Sequence, residues 1–496
     1  MAKTLQELLQ HISGTVVQGE TDLIIQSLAY DSRKVTPGCL FICLKGAHVN
    51  GHDFIAKAKE AGAVAVLVEE DVAVPQELTV IKTASTREAM QTAAPYFYDY
   101  PARKVRMIGV TGTNGKTTTT YLIRQILLEA GYQVGVIGTI QTLIGEKALP
   151  VKNTTPDVID LQQLLCEMVE ASMDYVVMEV SSHALAMQRV AGCEFDGAIF
   201  TNLTQDHLDY HKTLENYREA KALLFKGLGE NATKDNKWAV INGDDEAGAA
   251  MLAKVKNSKV FTYSAQGKGN LQAVDIAVKA RQMQFSAKGD FGSIALRLRI
   301  TGLFNVYNTL AAIGAGLGEN VKPAVIQSAL EKFTTVPGRF ELVDAGQNFS
   351  VIVDYAHTPD GLENILKTAQ QISEGRIITV FGCGGDRDRT KRPIMGRLAT
   401  EYSDVVIATS DNPRSEDPLA ILQEIAVGIE AVLTPEKEYH MIPDRREAIG
   451  AALRLACEHD IVMIAGKGHE TYQILKDKTI DFDDRQVVRE ILKELN

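Results

Sequence analysis

Short apolar runs alternate with amphipathic stretches along most of this chain. In the first hundred residues, apolar runs at 40–44 and 63–68 flank a helical stretch at 52–61. A connector over 96–104 follows, with Pro101 as its stop signal. Beyond it, the runs at 105–110, 134–137, 175–178, 198–200 and 238–241 are apolar on both faces, as parallel strands under helices must be. Helical patterns at 117–129 and 158–171 lie between them. Between about 261 and 300 the period changes to two. Ile294, Leu296, Leu298 and Ile300 share one face and Arg297 and Arg299 the other, which predicts a small antiparallel patch. From Val336 the strand–helix rhythm returns, with strands at 350–353, 377–381, 405–408 and 461–464.

This alternation predicts an α/β protein of three domains in series. A small N-terminal α/β domain covers 1–100. A central P-loop-type domain, a mostly parallel sheet with helices on both faces, covers 101–335, and a Rossmann-like α/β domain covers 336–496. The length of 496 residues agrees with about three domains. A net charge of −11, from 52 basic and 63 acidic residues, argues against a nucleic-acid or membrane-surface binder. The apolar runs are strand-sized, far short of the roughly 20 residues of a membrane helix. No secretory signal pattern opens the chain, and six scattered cysteines lack zinc spacing, so a cytoplasmic protein with reduced thiols is expected.

The sharpest chemical signal is VTGTNGKTT at 110–118, between a buried-type strand and a helix. Gly112 and Gly115 let backbone N–H groups of Thr113, Asn114 and their neighbours wrap a phosphate, and the helix start at Lys116 adds its positive end. Lys116 reaches the β- and γ-phosphates, while Thr117, followed by Thr118, offers a hydroxyl to Mg²⁺. The glycine spacing is shorter than in the strict P-loop pattern, because position 110 is Val. Glu179 sits at a strand's C-terminal end, where open α/β sheets bind ligands. The segment NLTQDHLDYH at 202–211 puts His207 among acids, suited to a metal or a carboxylate, or to plain helix capping. Lys221 lies on an amphipathic helix, and spacing alone leaves it a solvated residue or a ligand. Asn242, Asn305 and Asn308 have amides suited to an adenine edge, and Arg339 is a cation that suits a phosphate. In the last block GCGGDRDRTKRP at 382–393, DNPR at 411–414 and GKGHE at 466–470 all follow strands. Arg387 and Arg414 offer forks for a carboxylate, and Glu470 an anion for an ammonium, a combination suited to an amino acid.

Taken together, TGTNGKTT, EVSSHAL (179–185), NLTQDHLDYH, YREAK (217–221), FNVYN (304–308), VPGRFE (336–341), DYAHTPD (354–360), GCGGDRDRTKRP, DNPR and GKGHE resemble the Mur ligase family, in its order and over nearly the whole chain. DSR at 31–33 and NTTP at 153–156 belong to the same pattern. The resemblance implies ATP-dependent amide ligation with Mg²⁺ in peptidoglycan precursor synthesis. Ser32, Asn153, Thr154, Thr155, Ser181 and Arg189 match positions that hold the UDP-linked muramoyl-peptide, with Met187 where some relatives carry Gln. Lys221 matches a lysine that the family carbamylates to N6-carboxylysine. Glu179, His207 and Thr117 match the other metal positions, and Lys116 completes the catalytic set. Members with Arg in the fourth position of DNPR look like meso-diaminopimelate users, so Arg387, Asp411, Asn412, Pro413, Arg414, Gly466 and Glu470 are the expected acceptor pocket.

The implied reaction joins meso-diaminopimelate to UDP-MurNAc-L-Ala-D-Glu through an acyl phosphate, on a monomer in the cytoplasm with only small-molecule partners. Addition of L-lysine is the alternative within the same chemistry. A folylpolyglutamate synthase-like ligase shares the loop logic, but DSR and GKGHE speak against it. A nucleotide-dependent switch without ligase activity is the alternative from another class.

Overall fold

A computed structural model describes residues 2–46, 49–230 and 233–495. It is an α/β fold in which each expected block forms its own sheet. The described chain sorts into two compact units. One holds Met1–Lys116, Ala130–Thr262 and Gly314–Asn320; the other holds Thr117–Glu129, Tyr263–Ile313 and Val321–Asn496.

In the first unit, the N-terminal sheet runs Gly14–Gln18, Thr79–Thr83, Ala63–Val68, Cys39–Ile42, Ser27–Ala29, parallel except for its first pair. Its core includes Leu40, Ile42 and Phe97, and also Val158 and Ile159 from the helix Val158–Glu170. The N-terminal block is therefore packed onto the next one rather than hung from a linker. The stretch 52–61, expected as one helix, is a 3₁₀ turn Gly51–Phe54 followed by the helix Ile55–Glu60. The Asn50 side chain accepts from the His52 N–H and tightens the entry, which is why the α-helix starts late.

The same unit carries five parallel strands in the order Val134–Ile137, Tyr175–Glu179, Arg106–Thr111, Gly197–Phe200, Trp238–Asn242. All five are buried along their length apart from Arg106, as their continuous apolar runs require. Strand Arg106–Thr111 lies in the middle, with Glu179 of one neighbour beside Val110 and Phe200 of the other beside Thr111, so the loop after it opens at the carboxyl edge of the sheet. That edge is where such sheets bind ligands.

The second unit contains the antiparallel meander Leu271–Lys279, Gln282–Gly289, Gly292–Leu298. Ile294, Leu296, Leu298 and Ile300 are buried on one face as the alternation predicts. The last block forms a six-stranded sheet in the order Glu341–Leu342, Ser350–Asp354, Ile461–Ala465, Ile377–Phe381, Val405–Ala408, Glu438–Met441. All its neighbours are parallel except the first pair. Apolar clusters on its two faces hold it between helices: Leu362, Ile365 and Met395 on one side, Ile449, Leu453 and Val488 on the other. Among the described residues no helix is long and apolar enough to cross a membrane.

Candidate active site

The loop after strand Arg106–Thr111 is fixed by its own backbone and by the segment that follows Gly197–Phe200. Gly112 takes φ 148° and Gly115 φ 84°. A Cβ at 112 would lie 1.9 Å from Thr201 Oγ1, so no other residue fits there without moving the neighbouring strand end. Thr113 N donates to Asn202 O (2.9 Å), Asn114 N to Asn202 Oδ1 (2.9 Å), and Thr201 Oγ1 to Asn114 O (2.6 Å). Asn202 thus holds the loop's curvature, a role its place in NLTQDHLDYH did not reveal.

Two lysine side chains meet on this loop. Lys116 Nζ donates to Gly112 O (2.8 Å) and Thr113 O (2.7 Å), and Lys221 Nζ donates to the same Gly112 carbonyl (2.8 Å). Lys221 is 1% exposed and stands 4.4 Å from the centre of the Tyr217 ring, one helical turn back. Burial, and then the repulsion of Lys116, lower its pKa well below that of a free lysine. A solvated helix face is therefore excluded for Lys221. That direction favours the neutral, nucleophilic amine, the form that adds CO₂.

Glu179 is equally buried. Its carboxylate accepts from Thr139 N (2.9 Å) and Thr139 Oγ1 (3.0 Å), and a Cβ at Gly138 would press on Oε1 at 2.5 Å. Thr154 Oγ1 lies 3.1 Å from Thr139 Oγ1; Thr155 Oγ1 donates to Glu179 O (2.8 Å) and accepts from Ser181 N (3.1 Å). Two segments of the expected peptide site, Thr154–Thr155 and Ser181, are thereby tied to the Glu179 strand end. Arg189 Nε is 3.8 Å from Asp157 Oδ2, and its NH2 is 3.3 Å from Met187 Sδ, so Met187 shields one side of the guanidinium. Asn153 is exposed, and Ser32 is buried in a turn capped by Asp31.

His207 takes a left-handed backbone (φ 53°) and packs edge-on to His183, with centroids 4.8 Å apart; His183 in turn lies 5.3 Å from His211. Burial lowers the pKa of all three; neighbouring imidazoles add to it at His183 and His211, and Lys116 and Lys221 add to it at His207. The imidazole of His207 is thus neutral, as a metal ligand must be. Among the described residues no three His, Cys, Asp or Glu side chains converge to hold a metal unaided. The set Glu179, neutral His207 and Lys221 still suits a hard divalent cation, because CO₂ turns the buried amine into an oxygen ligand.

In the second unit, Thr117 and Thr118 are buried in the first turn of helix Lys116–Glu129. Asn305 and Asn308 turn inward: Asn308 Nδ2 donates to Asn305 Oδ1 (2.9 Å), Asn305 Nδ2 to Thr301 O (2.8 Å), and Thr119 Oγ1 to Asn308 Oδ1 (3.5 Å). Asn308 thereby touches the helix that follows the loop, and Asn305 is held between Asn308 and Thr301. Arg339 stacks on Tyr355 at 5.0 Å, and the half-buried His469 beside that ring is pushed down to about 4 by desolvation and by Arg339.

The expected acceptor residues converge at the carboxyl edge of the last sheet. Lys467, fully buried and absent from the sequence-level site, donates to Glu470 Oε2 (3.2 Å) and Asn412 Oδ1 (3.2 Å) and lies 3.6 Å from Asp411 Oδ1. Asn412 Nδ2 adds a bond to Glu470 Oε2 (3.1 Å). Arg414, left-handed at φ 52°, donates from NH1 to Gly385 O (2.8 Å). Gly385 itself sits 1.9 Å, at the Cβ position, from Pro413 O. Gly466 (φ 117°) turns the chain into the pocket, and Arg387 is exposed on the neighbouring loop. Lys467 was visible inside GKGHE, but its complete burial was not.

The chain matches the Mur ligase family catalytic domain over residues 24–100, the Mur ligase middle domain over 110–316 and the Mur ligase glutamate ligase domain over 338–468. The UDP-N-acetylmuramoyl-L-alanyl-D-glutamate--2,6-diaminopimelate ligase of Geobacillus thermodenitrificans (strain NG80-2) is 48% identical over 99% of both chains. A solved structure of a ligase with that name superposes with TM-score 0.70 at 33% identity, covering 100% of this chain and 99% of the other. MurF ligase from Thermotoga maritima, solved in complex with ADP, shares the fold at 17% identity and TM-score 0.62 over 95% and 96% of the two chains.

Proposed function

This chain belongs to the Mur ligase family, and we propose that it joins meso-diaminopimelate to UDP-MurNAc-L-Ala-D-Glu at the expense of ATP. The observation that carries the reading is the meeting of Lys116 and Lys221 on one carbonyl of a phosphate-binding loop. Relatives 44–48% identical over most of the chain carry the name of that ligase, and an acidic and guanidinium-bearing pocket suited to a diamino acid supports it.

A carboxylate and a triphosphate repel each other, so the reaction needs cations gathered before they meet. Lys116 and the loop N–H groups hold the phosphates, and the helix start adds to them. The γ-carboxylate of the D-glutamate attacks the γ-phosphorus; the bond to ADP breaks and an acyl phosphate forms. The free amine of diaminopimelate then attacks the acyl carbon, loses a proton and releases inorganic phosphate. The chain contributes position and charge rather than a covalent intermediate of its own. Glu179, His207 and the carbamate of Lys221 would hold Mg²⁺, which supplies further neutralisation of phosphate charge when bound. Carbamylation needs the neutral amine that burial creates: the nitrogen bonds the CO₂ carbon and releases a proton. Thr154, Thr155, Ser181 and Arg189 face the peptide end, and Ser32 the nucleotide end. Asn412 and Glu470 take the acceptor's ammonium, while Arg387 and Arg414 take its distal carboxylate. The working protein is a cytoplasmic monomer of three domains, with boundaries near 100 and 335.

Phosphate release measured with the UDP-peptide, ATP and either meso-diaminopimelate or L-lysine tests this. Strong stimulation by diaminopimelate alone is expected, because a site built for a carboxylate leaves its guanidiniums unpaired around lysine. Preference for lysine, or release indifferent to any amino acid, would refute it.

A further inference from the structure

Behind the acceptor pocket lies a guanidinium that touches none of the proposed substrates. Arg392, in the first turn of helix Lys391–Tyr402, is wholly buried. It grips both oxygens of Glu416, NH1 to Oε2 at 2.9 Å and NH2 to Oε1 at 2.8 Å. It also donates to Glu424 Oε2 (2.8 Å) and to the Gly384 carbonyl (3.2 Å). Glu424 is further paired with Arg389, so the cluster's charges are balanced.

Glu416 passes this hold to the loop carrying Arg387. Its Oε1 accepts the backbone N–H of Asp386 at 2.6 Å. Asp386 returns the bond, accepting from Ser415 Oγ (2.6 Å) and Ser415 N (3.2 Å) beside Arg414. Two further links, Gly385 N to Asn412 O (2.9 Å) and Arg414 NH1 to Gly385 O (2.8 Å), close the stitching of the loops. Asp386 and Arg414 both take left-handed backbones, φ 53° and 52°, which persist in non-glycine residues only where the surroundings over-determine them. A buried ion pair is a weak stability device in itself, since apolar side chains of similar volume often do as well. What Arg392 does that an apolar side chain would not is hold Glu416, just beyond Arg414, on the backbone N–H of Asp386 in the other loop.

We propose that Arg392, acting through Glu416, is a positioning residue that sets the two loops so that Arg387 and Arg414 read the acceptor's distal carboxylate. It is thus a determinant of selectivity between a diamino diacid and a diamino monoacid. The physical need is geometric. A guanidinium grips a carboxylate with two parallel bonds only if its plane is correctly aimed, and sites of this kind tolerate displacements of only about half an ångström. The inference rests on the diaminopimelate reading above.

Glu416→Gln is the decisive variant, because it keeps the side chain's volume and weakens the clamp; Arg392→Lys is its partner, retaining charge without the fork. Both are compared with the wild type for melting temperature and for kcat and KM with each substrate, using diaminopimelate and L-lysine. The expected result is a KM for diaminopimelate raised by about 10-fold or more, and a selectivity over lysine lowered in proportion. The kcat at saturation and the KM values for ATP and the UDP-peptide should stay within about twofold of the wild type. An unmoved KM and selectivity in a folded variant, or an equal loss with both amino acids, overturns the inference. A wild type that uses both amino acids equally overturns the diaminopimelate reading and this inference with it; a selective wild type beside an unmoved Glu416→Gln overturns the inference alone.

Discussion

Charge is handled in opposite ways around Gly112 and around Asn412. Near Gly112 two lysines share one carbonyl, Lys221 is buried with another cation as its chief electrostatic neighbour, and Glu179 is buried against hydroxyl and amide donors. Near Asn412 each buried cation has carboxylate partners: Lys467 between Asp411 and Glu470, Arg392 between Glu416 and Glu424, and Arg445 with both oxygens of Asp484 (2.8 and 2.7 Å). The first arrangement brings like charges together, which suits the proposed uptake of CO₂, phosphate and metal. The second is satisfied in advance, which suits a place that must recognise a shape.

That contrast can be broken by substitution. The largest effect is expected from Lys116→Ala, which removes the cation proposed to meet the phosphates: kcat should fall by about 10³-fold in a protein that melts normally. A turnover within tenfold of wild type would show that the loop's charge is not what drives the reaction. Lys221→Met should be next, with kcat lowered about 10²-fold and no rescue by bicarbonate, whereas CO₂-depleted wild type recovers when bicarbonate is returned. Its stability should hold or rise, because an amine disfavoured by burial is replaced by an apolar chain. The sign with pH follows. The folded-state pKa of Lys221 lies below the unfolded value of 10.5, so folding releases a proton between the two, and wild-type stability gains with rising pH across that window. The variant should lack this gain; a destabilised Lys221→Met would mean the lysine is structurally satisfied after all.

The smallest effect sharpens the other side of the comparison. Arg392 holds the Glu416 carboxyl down at about 2, below its ordinary 4.5. The stability it contributes is present above pH 4.5 and is lost as pH falls towards 2. Glu416→Gln should flatten that part of the acid-unfolding profile by about 1 kcal/mol relative to wild type. Identical acid profiles for the two proteins would remove Glu416 from the clamp.

Much of this was legible from residue order alone. Continuous apolar runs require strands buried on both faces, and the strands at Val134–Ile137, Ile377–Phe381 and Val405–Ala408 form where those runs lie. A glycine-lysine turn between strand and helix makes an anion cradle whatever surrounds it, because backbone N–H groups and the helix end need no distant partner. Burial and pairing were not legible, because they depend on residues far apart in the chain. Lys221 read equally well as a solvated helix residue until Tyr217 and Gly112 closed over it, and Lys467 and Arg392 looked like ordinary cations in basic loops. Asn305 and Asn308 had the right chemistry for a base edge, but their bonds to Thr301 and Thr119 were not legible from spacing. Local periodicity and turn chemistry set the elements and the phosphate loop. Only tertiary contact, by removing water from chosen charges and leaving others paired, set apart the lysine proposed to take up CO₂ and the arginine proposed to aim the pocket.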